Sequence, residues 1–147
     1  MSGDLRWIDL RERLAGLRGR CVHVVHASAE PTVRRHLGDA GFEVVTVMGT
    51  AIRNEATFFL EVERAFALPE GFGRNWDAFT DALGDYGGPR LAVLWADSDQ
   101  SLAADVQAFL DAVLALDRAA EDRGEEDPPR QLEVFLLGSG PGLAGAV

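Results

Sequence analysis

Four short apolar runs fix the fold class of this chain: CVHVVH at 21–26, FEVVTVM at 42–48, LAVLW at 91–95 and LEVFLL at 132–137. Each is rich in β-branched and aliphatic residues and nearly continuous, the pattern of a strand covered on both faces. Such strands need helices above and below them. The first two runs are joined by a helix-length segment, which is the connection that parallel strands require. The expectation is therefore an α/β fold, with an open, mostly parallel four-stranded sheet covered on both faces by helices.

The segments between the runs carry helical signals. Residues 9–18 place Leu10, Leu14 and Leu17 on one side, and Gly19 follows as a stop. Ser28 is a plausible N-cap for a helix reaching about Asp39, with Pro31 in its first turn and Gly41 ending it. Asn54 can cap a helix over 54–67 whose core face is Phe58, Phe59, Val62, Ala65 and Phe66; Leu68-Pro69 ends it. Gly87-Gly88-Pro89 is a firm break. The longest helix is expected over about 100–120, capped from within Asp97–Gln100. Leu102, Val106, Phe109, Leu110, Val113 and Leu116 would be its buried face. The segment EDRGEEDPPR at 121–130 reads as an acidic loop, and residues 139–147 as a mobile tail.

Charge narrows the choice of partner. The net charge is −10, and all 14 basic residues are Arg. Residues 1–38 hold 7 Arg against 4 acids, whereas the remainder holds 7 Arg against 20 acids. An acidic body of this kind repels nucleic-acid phosphates, so direct nucleic-acid binding is not expected. It attracts basic partners and speeds their encounter. No apolar run is long enough to span a bilayer, and MSGDLRWIDLRERL has no signal-type segment, so neither membrane insertion nor export is expected. The single Cys21 suits a reducing cytoplasm.

Candidate catalytic patterns are weak. Cys21, His23 and His26 lack a third and fourth ligand at a zinc spacing, and read as a buried thiol outside any disulfide and strand-edge histidines. Ser139 in GSGPG does not sit in a strand-to-helix elbow, and neither GFG nor GSGPG matches a phosphate-binding loop. No enzyme, cofactor or metal is expected.

The stretch ALPEGFGRNWDAFTDALGD at 67–85 stands apart. Asn75 is a good N-cap; Trp76, Phe79 and Leu83 form an apolar stripe; Gly84 is expected to end the helix. Asp77 and Asp81 are four apart on another face, and Asp85 adds a third carboxylate. An anion in the last turn opposes the helix dipole, and like charges at this spacing repel by roughly 0.2–0.5 kcal/mol. A helix that accepts such a local penalty marks a candidate functional site. An exposed pair of carboxylates without a nucleophile nearby suits the binding of cationic groups. Arg74, in the preceding loop, can pair with Glu70 or Asp77.

LPEGFGRNWDAFTDALGD resembles the barstar family, intracellular inhibitors of small secreted ribonucleases of the barnase type. The likeness rests on LP, the glycine-bounded Phe72-Gly73, then Asn75, Asp77-Ala78 and Asp81. With its flanking strands and helices it covers about residues 42–138 of what is read as a single domain, 1–147. Residues 1–41 would add a strand and two helices to the family's three-stranded parallel sheet. The resemblance implies a cytoplasmic immunity-type protein, or antitoxin, whose short helix and loop plug the active site of a basic secreted ribonuclease or ribonuclease toxin. Asp81 would be the central anchor and Asp77 a flanking one. Gly73 and Asn75 would shape the loop, with Phe72 beside them. Asp85, Thr80 and Tyr86 complete the expected partner-binding set. Gly71, Thr80 and Tyr86 stand where larger aromatics are expected from the family's best-known member, and that weakens the case for the same target. An acid on the long helix should join the face, with Asp111, Asp117 and Glu121 as candidates. The alternative is a protein-interaction module of the same fold with a non-nuclease partner.

Overall fold

Each of the four apolar runs becomes a strand. The computed structural model describes residues 21–69 and 72–139. The expected helix at 9–18, the residues Glu70 and Gly71, and the tail from 140 onward lie outside the described residues. The strands are β1 (Val22–His26), β2 (Glu43–Met48), β3 (Arg90–Ala96) and β4 (Gln131–Gly138). All neighbouring pairs are parallel, in the order β1-β4-β3-β2. The central position of β4 explains its composition: all eight of its residues are buried, whereas the edge strands β1 and β2 alternate.

The helices are α1 (Glu30–Asp39), α2 (Glu55–Phe66), α3 (Trp76–Asp85), α4 (Ser98–Ala104) and α5 (Val106–Gly124). One sheet face presents Val45, Val47, Leu91, Val93, Trp95, Leu132 and Val134 to Phe58, Phe59, Phe79, Leu83, Ala112 and Leu116 of α2, α3 and α5. The opposite face presents Val25, Ala92, Leu94, Phe135 and Leu137 to Val33 and Leu37 of α1. The two-sided burial inferred from the runs is thus a real two-sided core.

The connections depart from the sequence expectation at definite points. Ser28 does not cap α1. Residues 27–29 form a 3-10 turn, and His26 at the end of β1 accepts the Ser28 N–H on Nδ1 at 3.1 Å. Asn54 does cap α2, in a reciprocal box with Thr57: the Thr57 N–H donates to Asn54 Oδ1 at 2.9 Å and the Asn54 N–H to Thr57 Oγ1 at 3.0 Å. The long helix is two helices. Asp105 breaks it and caps α5, accepting the Ala108 N–H at 3.0 Å. Helix α5 then runs through Gly124, four residues into the expected loop.

Its buried face is only partly the expected one: Leu116 is buried and Phe109 and Val113 pack against the core, as expected. Ala108, Ala112, Ala115, Leu116, Ala119 and Ala120 face the core, while Val106, Leu110 and Leu114 are exposed. Alanines allow α5 to lie close to the sheet and to α3, and that geometry decides which side turns inward.

His23 is buried rather than edge-exposed; its Nε2 lies 2.7 Å from Glu133 Oε1, and Gln131 Nε2 donates to the other carboxylate oxygen at 2.8 Å. Cys21 is half-buried rather than fully buried, and its thiol donates to Asp117 Oδ1 at 3.1 Å. Among the described residues no helix is long and apolar enough to cross a membrane.

Candidate functional site

The acidic stretch is held in place by aromatic packing. Helix α2 ends with Ala67 in the left-handed region at φ 51° and with the Leu68 N–H donating to Glu63 O at 3.0 Å; Pro69 follows. The Phe72 N–H then closes a turn onto Pro69 O at 3.1 Å. Phe72 lies against Phe59 with ring centres 6.2 Å apart, and Trp76 lies 4.8 Å from Phe59 and 5.4 Å from Phe58. At the far end of α3, Tyr86 meets Phe66 edge-on at 5.0 Å. The phenylalanines of α2 are therefore the seat for both ends of α3. Phe72 and Tyr86, expected on the partner face, are half-buried and pack inward.

The loop before α3 is tightly made. Asn75 accepts the Ala78 N–H at 2.8 Å and donates through Nδ2 to Gly73 O at 3.2 Å. A Cβ on Gly73 would lie 3.1 Å from both Ala78 Cβ and Asn75 Nδ2, tighter than ordinary contact. Arg74 has φ 49° and pairs with Glu63 of α2 rather than with Asp77; Glu70 lies outside the described residues. Its charge is thereby turned back onto the scaffold and away from the acids of α3.

Helix α3 continues through Asp85, so Gly84 lies inside it and Asp81 precedes its last turn. Asp77, Asp81 and Asp85 are all exposed, and none has a hydrogen-bond or ion-pair partner among the described residues. What offsets these three charges comes from elsewhere in the chain. Arg123 of α5 is fully buried and donates to Leu83 O at 2.9 Å, Tyr86 O at 2.7 Å and Gly88 O at 2.9 Å. Arg130 donates to Gly84 O, to Tyr86 O at 2.9 Å and to Gly87 O at 2.6 Å. Two guanidinium groups thus satisfy the last carbonyls of α3 and place positive charge at its negative end. Burial, with Arg130 close by, pushes the Arg123 pKa down to about 10, against the pull of Glu126 and Glu43. Tyr86 is held above its usual range by burial, by the Glu43 charge and by a hydrogen bond to Glu43.

Beside the acids, α3 and α5 enclose a groove of about 500 Å³. Trp76, Asp77 and Thr80 line it from α3, and Asp111, Leu114, Asp117 and Glu121 from α5; Arg118 is the one lining cation among the described residues. All three long-helix acids singled out from the sequence therefore converge on the same groove as Asp77. Thr80 leaves it open, because its short side chain folds back to donate to Trp76 O at 2.9 Å. Among the predicted residues, Asp77 and Thr80 share the groove and Asp81 and Asp85 stand outside it on α3. Gly73 and Asn75 set the entry to α3, while Tyr86 closes its exit. Sequence reading missed Arg123 and Arg130; two arginines inside an acidic segment, EDRGEEDPPR, were the available signal.

No curated protein matches this chain. The family model described as Barstar (barnase inhibitor) matches residues 42–136, from the start of β2 into β4, which takes in α3, its clamping arginines and both walls of the groove. With nearly two thirds of its length inside that match, and with the acidic helix at the centre of it, the chain belongs to the barstar family.

Proposed function

We propose that this protein is a non-enzymatic inhibitor that binds a basic ribonuclease, or a ribonuclease toxin, of the barnase type in the cytoplasm and covers its active site with α3 and the 72–75 loop. One observation carries this reading: Asp77, Asp81 and Asp85 are exposed, with no partner among the described residues, on a helix whose two ends are both fixed by the rest of the chain. A nuclease active site presents cationic groups to a polyanion. Carboxylates held in place meet those groups with charge-assisted, directional hydrogen bonds and with little ordering left to do. Family membership supports the inhibitor role in general. The open groove at Thr80 is the feature that fits the alternative, an interaction module of the same fold serving a different basic partner.

The test is a titration of ribonuclease activity with wild type and Asp81→Ala. Loss of one side of a buried ion pair costs about 3–5 kcal/mol, so inhibition should weaken by at least a hundredfold. The unfolding midpoint should stay the same or rise slightly, since an unpaired carboxylate has been removed from α3. Inhibition that survives the substitution would disprove the proposed anchor.

A further inference from the structure

The apolar residues of α5 are divided between an inner and an outer face. This helix buries alanines and leaves Val106, Leu110 and Leu114 at 56%, 47% and 66% exposure. At a spacing of four, the three side chains stand in one row along the helix. Single exposed aliphatic residues are ordinary, but a continuous row that leads into a charged groove is not. Leu114 belongs to both features: it ends the row and lines the groove with Asp77, Asp111, Asp117 and Glu121.

We infer that this row is the second half of the partner-binding face, and that it covers an apolar patch beside the cationic groups of the same basic protein. The partner's identity as a ribonuclease rests on the function proposed above. Charge selects the occupant. A second copy packed through this row about a two-fold axis would bring Asp111, Asp117 and Glu121 towards their own equivalents, between chains of net charge −10 each. A basic protein meets the same carboxylates with opposite charge. The face then has the usual anatomy of a specific interface, in which apolar contacts shielded from water set the lifetime and charged groups set the approach.

The experiment uses the full chain against a panel of small secreted barnase-type ribonucleases, with association and dissociation rates measured at low and high salt. The double variant Leu110→Gln with Leu114→Gln changes only exposed positions, and circular dichroism and the unfolding midpoint should match wild type. Each leucine should contribute about tenfold to affinity. The double variant should therefore bind about a hundredfold more weakly, through faster dissociation, and the loss should persist at high salt. Asp81→Ala serves as the reference for the inhibitor reading. If the double variant binds like wild type while Asp81→Ala does not, the row lies outside the interface and the inhibitor reading stands. If wild type binds none of the panel, the inhibitor reading fails and takes this inference with it. Sedimentation showing a dimer that the double variant disperses would assign the row to a second copy and overturn the inference.

Discussion

Arg123→Met is the sharpest test of how the acidic helix is held. Methionine roughly keeps the length of the side chain and removes its charge and its donors. Three short hydrogen bonds disappear, to Leu83 O, Tyr86 O and Gly88 O. Tyr86 O keeps the Arg130 donor at 2.9 Å, but Gly88 O is left with Arg130 at 3.5 Å and Leu83 O with the Tyr86 N–H at 3.3 Å. Hydrogen bonds to charged groups contribute about 1.5–3 kcal/mol each, a gross loss of roughly 5–9 kcal/mol. Against that stands the relief of no longer burying a charge. The depression of the Arg123 pKa from the usual guanidinium range to about 10 corresponds to roughly 3 kcal/mol. The net destabilisation should be about 2–6 kcal/mol, or a fall in Tm on the order of 10 °C. Urea unfolding followed by circular dichroism would measure it. Arg123→Lys, which keeps the charge but loses the planar fork, should fall between the two. A methionine variant within 0.5 kcal/mol of wild type would show that water satisfies these carbonyls and that the clamp contributes nothing.

Two further outcomes follow from the same structure. Thr80→Trp should fill the groove between α3 and α5 with stability changed by less than about 1 kcal/mol, and should weaken the nuclease complex about tenfold or more; unchanged affinity would mean that no partner group enters there. Glu61 is buried, which pushes its carboxyl up, but the Arg64 hydrogen bond, the Met48 N–H at 2.7 Å and the Arg64 charge outweigh that and hold it below its usual 4.5. A carboxyl lowered by folding contributes stability that is complete above about pH 4.5 and is lost as pH falls through its folded value. Acid unfolding of Glu61→Gln should accordingly be less steep below pH 4.5 than that of wild type, with lower stability at neutral pH; parallel acid limbs would refute it.

Local chemistry was enough for much of this protein. The four apolar runs determined the strands to within a residue or two, because a strand buried on both faces must be apolar on both. Asn54 and Asn75 announced the starts of α2 and α3, since an N-cap needs only a side-chain oxygen and a backbone N–H three residues on. The spacing of Asp77, Asp81 and Asp85 placed the acids on one side of α3, a matter of helix geometry alone.

Other features depend on distant partners, and short-range pattern is blind to them. The apolar residues of α5 could be read as facing either way, and close approach to the sheet and α3 turned the alanines inward and left Val106, Leu110 and Leu114 outside. Arg123 and Arg130 looked like ordinary loop charges until the fold brought them to carbonyls more than thirty residues earlier in the chain. The convergence of Asp77 with Asp111, Asp117 and Glu121 likewise required α3 and α5 to pack together. Sequence sets which side chains a helix carries and where it begins. Which of its faces meets solvent, and what neutralises its ends, is decided by the packing of elements far apart along the chain.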